Sequence, residues 1–296
     1  MSYNQNTLKR MNKKHIIYIA TLLSSVLGCG ALGYLYYYTN PIKFNRPDLS
    51  DSKYFIAHAT GSIYGYTYLN SRESLISSLK NGYQYIEVDL NETADGILVC
   101  THDWEEFNKA SIPNITWKDS SIFLKVPTLE EFRKRKIYGQ FTPLTLNDVI
   151  TLFPKYQFTL VTDRLSTPQT LNKYFRKEVR NRIMVEAFSI DDYHILKKNG
   201  YIPMLSVGFI SDYSDCLLLI SKCLTYRDIE WIVVDYHSRL RFLRLLRKLF
   251  NIKIAACTIN SPTYIYQHIE SDFDLVYTDN WNLKTQLNSF QDHTTH

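Results

Sequence analysis

From Tyr54 onward the chain switches repeatedly between two periodicities, and this constrains its fold more than any other feature. Runs of β-branched and aromatic residues occur at Tyr54–His58, Tyr83–Leu90, Ile97–His102, Gln157–Asp163, Arg182–Phe188, Ile202–Val207, Trp231–Tyr236, Lys253–Thr258 and Leu275–Thr278. Helical patterning fills most of the intervals, for example Ser71–Lys80, Thr145–Phe153, Ile190–Asn199 and Ser238–Phe250. A strand followed by a helix, repeated over about 250 residues, builds a parallel sheet with helices on its faces; closed on itself, that sheet is a TIM-type (β/α)8 barrel. The alternative is an open, doubly wound sheet, but no glycine-rich phosphate loop follows the first strand. The sequence has no internal repeat and no low-complexity stretch.

One pair of runs breaks the alternation. Only Asn91-Glu92-Thr93-Ala94-Asp95-Gly96 separates Tyr83–Leu90 from Ile97–His102, and Asp-Gly between apolar strands signals a hairpin. A turn centred on residues 94–96 brings His102 opposite the stretch from Glu87 to Asp89, within a residue or two of register. Glu87 and Asp89 stand two apart on a strand, so both carboxylates leave the same face. On a solvated face that pair needs no explanation; on a buried one it needs a compensating cation. Oxygen ligands favour a divalent metal such as Mg²⁺ or Ca²⁺ over zinc. The neighbours tip the balance. His58 ends the first run, His102-Asp103 ends the hairpin, and Asp163 ends the run Phe158-Thr159-Leu160-Val161-Thr162-Asp163. Barrel enzymes gather their reactive groups from the C-terminal ends of several strands, and two histidines beside three acids form a metal-plus-acid/base set.

Charge bears on location more than on chemistry. The chain has 34 Lys+Arg against 29 Asp+Glu, a net charge of +5. Lys9, Arg10, Lys13 and Lys14 lie in residues 1–14 without an acid, which leaves 30 basic and 29 acidic residues in the remainder. A nearly neutral remainder gives no reason to expect nucleic acid as a partner. Ile16 to Tyr38 runs 23 residues without a charged side chain and closes on Tyr34, Tyr36, Tyr37 and Tyr38. As a helix it is about 35 Å long, enough to cross a bilayer, and the four cations before it orient its N-terminus to the cytoplasm. The expected organisation is a basic cytoplasmic tail (1–14), a transmembrane anchor (15–38), a linker (39–52), an extracytoplasmic barrel at the cell membrane (53–285) and a tail (286–296). A cleaved signal peptide and a lipoprotein-like site at Cys29 are the rival readings of the apolar run. Cys100, Cys216, Cys223 and Cys257 read as small buried hydrophobes, not as a disulfide framework.

The motifs together resemble the glycerophosphodiester phosphodiesterase family, within the phosphatidylinositol phospholipase C-like superfamily of TIM-barrel enzymes. The residues that carry the resemblance are Phe55-Ile56-Ala57-His58, Asn70-Ser71 before a helix, Ile86-Glu87-Val88-Asp89, Thr93-x-Asp95-Gly96 and His102-Asp103. Pro143-Leu144-Thr145-Leu146, Thr258-Ile259-Asn260 and Tyr277-Thr278-Asp279 resemble its later motifs, so the similarity spans about residues 53–282. It implies His58 and His102 as the general acid/base pair and Glu87, Asp89 and Asp163 as metal ligands. It further implies a phosphodiester substrate: a glycerophosphodiester, a lipid head group or a phosphate-linked glycan. In the family mechanism a neighbouring substrate hydroxyl attacks phosphorus, and water then opens a cyclic phosphate. Three positions depart from the pattern. Ala59 stands where the family usually has an arginine, Leu165 where it has a lysine, and Cys257 where it has a tryptophan.

Asn70, Arg164 and Glu186 are weaker candidates for substrate contact. Two alternative functions are an inactive barrel serving as a binding module at the envelope and a lyase that releases the cyclic phosphate. Arg241, Arg244, Arg247 and Lys248 read as the solvated side of an outer helix, with anionic lipid as a second reading. His194, His237 and His268 read as structural, without an acidic partner at ligand spacing. Residues 104–142 read as a lid over the barrel mouth.

Overall fold

The computed structural model describes residue 30 and residues 52–113, 120–163, 167–238 and 240–279. The chain divides into two units, 1–45 and 46–296, and the second contains every element below. No helix among the described residues is long and apolar enough to cross a membrane. The expected anchor at 15–38 lies outside the described residues apart from Gly30, as do Cys29, Arg164, Leu165 and the tail at 286–296.

The chain enters through β1 (Phe55–Ala57), α1 (Arg72–Lys80) and β2 (Tyr85–Val88). It then leaves the barrel for an insertion: β3 (Leu90–Glu92), β4 (Leu98–Cys100), α2 (Trp104–Ser111), α3 (Ser120–Phe123), α4 (Leu129–Lys134) and β5 (Leu144–Thr145). The helix α5 (Leu146–Ile150) leads back to β6 (Thr159–Thr162), α6 (Pro168–Leu171), β7 (Ile183–Ala187), α7 (Ile190–Lys198) and β8 (Ile202–Gly208). The helix α8 (Tyr213–Thr225), β9 (Trp231–Asp235), α9 (Leu240–Phe250), β10 (Lys253–Cys257), α10 (Pro262–His268) and β11 (Leu275–Thr278) complete it. Eight strands, β1, β2 and β6–β11, close into an all-parallel barrel in which β11 pairs with β1. Side chains set the helix starts: Ser71, Thr145, Ser189 and Asp212 each accept a hydrogen bond from a backbone N–H of the first turn.

Of the nine strand-like runs, eight build the barrel. The exception is Ile97–His102, whose core forms β4 and pairs antiparallel with β3, Leu90 opposite Cys100. The Asp-Gly turn is therefore a hairpin, and it stands outside the barrel in a three-stranded sheet, β3-β4-β5. Among the described residues of 104–142, α2 and α4 pack on that sheet: Phe107 stacks on Phe132 at 4.6 Å, within a cluster that includes Leu69, Val99, Ile137 and Phe141.

Period two in the strands sorts the barrel side chains. Ile56, Val161, Met184, Met204, Val233, Ala255 and Leu275 form an inner apolar layer. Their alternates, such as Ile86, Val88, Leu160, Val185, Ile232 and Ile254, belong to the larger core between barrel and helices. The described cysteines are free thiols; Cys100, Cys216 and Cys223 are buried as expected, whereas Cys257 is half-buried.

Two expectations about charged side chains are corrected. Arg244 does not lie on a solvated helix face: it is ion-paired with Asp272, which is fully buried, and Arg247 donates to Asp274 at 2.7 Å. These pairs fasten α9 to the segment before β11, while Arg241 and Lys248 are exposed. The three structural histidines do have acidic partners: His194 with Asp228 at 3.2 Å, His237 with Asp235 at 2.9 Å and His268 with Asp272 at 2.9 Å. Folding supplies the first of these across the surface, from a residue too distant in the chain for spacing to reveal.

Candidate active site

Two residues beyond each inner apolar side chain, the same face of the same strand points into the C-terminal mouth of the barrel. There the alternation delivers His58, Asp163, Glu186, Ser206, Asp235, Cys257 and Tyr277, which with Glu87 and Asp89 line a cavity of 280 Å³. Glu87 lies one layer deeper, in register with Val161.

Glu87 and Asp89 are almost wholly buried, at 3% and 2% exposure, and carboxylate oxygens of Glu87, Asp89 and Asp163 come within 4.8 Å of one another. Burial, reinforced by the charges of Asp89 and Asp163, pushes the Glu87 carboxyl well above its ordinary value, although the Ala59 amide opposes this. That amide donates to Glu87 Oε2 at 2.6 Å. Ala59 itself is fully buried at φ 45°, so the position expected to carry an arginine presents its backbone to the site. The chain then turns at Gly61, φ 86°, where a Cβ would stand 2.4 Å from Ser78 Oγ. Asn70 clamps Asp89 twice: its amide donates to Oδ2 at 2.8 Å and its carbonyl accepts from the Asp89 N–H at 3.2 Å. Three buried or half-buried carboxylates at this spacing form an all-oxygen donor set that suits a hard divalent cation, and that cation would relieve their repulsion.

His58 follows β1 directly, and its Nδ1 lies 2.7 Å from Asp279 Oδ1. A carboxylate only accepts, so Nδ1 carries the proton and Nε2 is the ring's acceptor. Asn260 holds this carboxylate in turn: its amide donates to Asp279 Oδ2 at 2.7 Å, and its carbonyl accepts from the Asp279 N–H at 2.9 Å. Burial alone would raise the Asp279 carboxyl, but the hydrogen bonds from His58 and Asn260 outweigh it and hold it below its ordinary value.

His102 comes from the hairpin, where the Thr101 N–H donates to Asp89 O at 2.9 Å and so continues the β3–β4 register toward the carboxylates. Its Nδ1 lies 3.1 Å from Asp103 Oδ2 and 3.5 Å from Glu106 Oε2. Asp103 also caps α2, accepting from the Glu106 N–H at 2.8 Å. The two histidines are separated by the ring of Tyr68, 4.8 Å from His58 and 5.1 Å from His102 between centroids.

Four of the five residues expected to carry the chemistry therefore line the barrel mouth, and His102 stands across Tyr68 from them. Glu186, a weaker candidate, lines the cavity and accepts from Tyr277 Oη at 2.7 Å; burial raises its carboxyl despite that bond. Sequence reasoning misses Asp235, which stands one residue inside the run Trp231–Tyr236 but is the last residue of β9. Tyr68 has no signal to find, because it stands in an irregular loop at φ 61°.

The family model for glycerophosphoryl diester phosphodiesterases matches residues 64–283. The chain belongs to that family. It is accordingly a phosphodiesterase. Solved structures with the same fold include a phosphodiesterase from Oleispira antarctica in complex with the product sn-glycerol-3-phosphate. It is 16% identical, with a TM-score of 0.61, covering 81% of this chain and 96% of the other. A glycerophosphoryl diester phosphodiesterase from Parabacteroides distasonis is 16% identical, with a TM-score of 0.58, covering 83% and 89%. A search of curated proteins gave no match.

Proposed function

We propose that this phosphodiesterase cleaves a glycerophosphodiester-like substrate with His58 and His102 as its acid–base pair. Glu87, Asp89 and Asp163 would hold Mg²⁺ or Ca²⁺. The observation that carries the reading is the convergence of three carboxylates within 4.8 Å, lining one cavity with His58 and across Tyr68 from His102. When bound, the cation polarises the phosphoryl oxygens and offsets the charge that builds on them.

His58, in the barrel mouth, takes the proton of the attacking glycerol hydroxyl on Nε2, because Asp279 holds the proton on Nδ1. His102, on the other side of Tyr68, gives a proton to the departing oxygen. Water then opens the cyclic phosphate, with the histidines exchanging roles. Glycerol phosphate release from glycerophosphocholine tests this reading. His58→Ala or His102→Ala should each lower kcat by about 10²- to 10⁴-fold, and EDTA should abolish turnover. Full activity in either variant or in EDTA would refute it.

The uncharged run at Ile16–Tyr38 and the cations before it support a single-pass anchor with the barrel outside the cytoplasm. The full chain should then stay in the membrane fraction through a carbonate wash; release into the supernatant would refute the anchor.

A further inference from the structure

Phosphoryl transfer builds charge on the non-bridging oxygens, and enzymes meet that charge with donors fixed in advance. The barrel mouth has few such donors. Among the described residues its lining includes no lysine and no arginine. Ala59, at the position expected to carry an arginine, commits its N–H to Glu87. Three hydroxyls line the mouth, those of Tyr68, Ser206 and Tyr277. Tyr277 donates to Glu186 at 2.7 Å, and Ser206 donates to the same carboxyl. The Tyr68 hydroxyl makes no hydrogen bond among the described residues.

Tyr68 also stands where a bound diester has to pass. A second cavity, of 480 Å³, opens on the far side of its ring; His58 lines the first and His102 the second, and Tyr68 is shared by both. Its ring meets the two imidazoles edge to face, at 70° to His58 and 64° to His102. A phosphodiester engaged by both histidines therefore touches Tyr68. The residue is held at φ 61°, a conformation that the surrounding structure has to enforce. The next two residues do so. Leu69 is buried in the core of the insertion, and the Asn70 N–H donates to Ala59 O at 2.9 Å while its side chain clamps Asp89. Burial and the charges of Asp89, Glu87, Asp163 and Glu106 raise the phenol above its ordinary value, so it keeps its proton and remains a donor.

We propose that the Tyr68 hydroxyl donates a hydrogen bond to a non-bridging oxygen of the phosphodiester. The inference rests on the proposed reaction, in which both histidines engage the phosphodiester. Tyr68→Phe in the full chain removes the hydroxyl and keeps the ring between the histidines. It should lower kcat on glycerophosphocholine about 10²-fold, with Tm unchanged. Sulfur accepts hydrogen bonds weakly, so one of the two phosphorothioate diastereomers of that substrate already lacks the bond. On that diastereomer the effect of Tyr68→Phe should fall to about threefold, while on the other it persists. An unchanged kcat, an equal loss on both diastereomers, or a fall in Tm that accompanies the loss would overturn the role. If the unaltered chain does not turn over, the reaction fails, and binding of inorganic phosphate in Mg²⁺, followed by phosphorus NMR, decides the donor separately. Tyr68→Phe should then raise the phosphate Kd about tenfold; an unchanged Kd, or no binding to the unaltered chain, would overturn it.

Discussion

Asp279 holds the proton on Nδ1 of His58 and so leaves Nε2 as the nitrogen that would meet the substrate in the proposed reaction. Asparagine at 279 offers its amide as readily as its carbonyl, so the tautomer is no longer fixed. Asp279→Asn should lower kcat by about 10²- to 10⁴-fold while leaving metal-induced thermal stabilisation intact. Steady-state kinetics beside a melting curve checks this; a variant that loses metal stabilisation equally would mean a structural role. At this scale the sequence is informative wherever strand periodicity applies. Two-residue spacing puts Glu87 and Asp89 on one face, and the strand-end rule finds His58 and Asp163. The same rule reaches Asp235 and gives Glu186 more weight than a weak candidate deserves. Tyr68 is not legible, because a loop at positive φ follows no periodicity.

The hairpin and its insertion are the elements that complete the site. Asp95-Gly96 marks the turn, and the observed pairing of Leu90 with Cys100 places His102 near the carboxylates as expected. That β4 lies outside the barrel is not legible, since an apolar strand reads the same in either sheet. The insertion has a small core of its own, with Phe132 fully buried against Phe107. Phe132→Ala should cost about 3–5 kcal/mol within that core. Hydrogen exchange should then accelerate in α2 and α4 while β9 and β10 stay protected, because the barrel core is a separate cluster. Uniform acceleration would show that insertion and barrel open together.

For the whole molecule, the proposed cation would offset the cost of closing the barrel around buried acids. Glu87 has a carboxyl raised well above 4.5 by burial and by Asp89 and Asp163. Without a cation its contribution to stability is fully present below pH 4.5 and is lost as pH rises through the raised value. A bound cation reverses that loss. At pH 7, Mg²⁺ or Ca²⁺ at a hundredfold excess over Kd should add about 2.7 kcal/mol, or about 5–10 °C in Tm for a domain of this size. The increment should shrink as pH falls through the raised value of Glu87 and its carboxyl takes up a proton. Calorimetry with and without EDTA checks this, and a Tm indifferent to metal at pH 7 would count against the carboxylate site. The sequence by itself determined the barrel, the hairpin and the two acids that share a strand face, because these follow from local periodicity and turn chemistry. Tertiary structure alone decided that Asp279 and Asn260 orient His58, that Tyr68 divides two cavities, and that Arg244 belongs to Asp272. Those partners lie far apart in the chain, and only barrel closure brings them within hydrogen-bonding or packing distance.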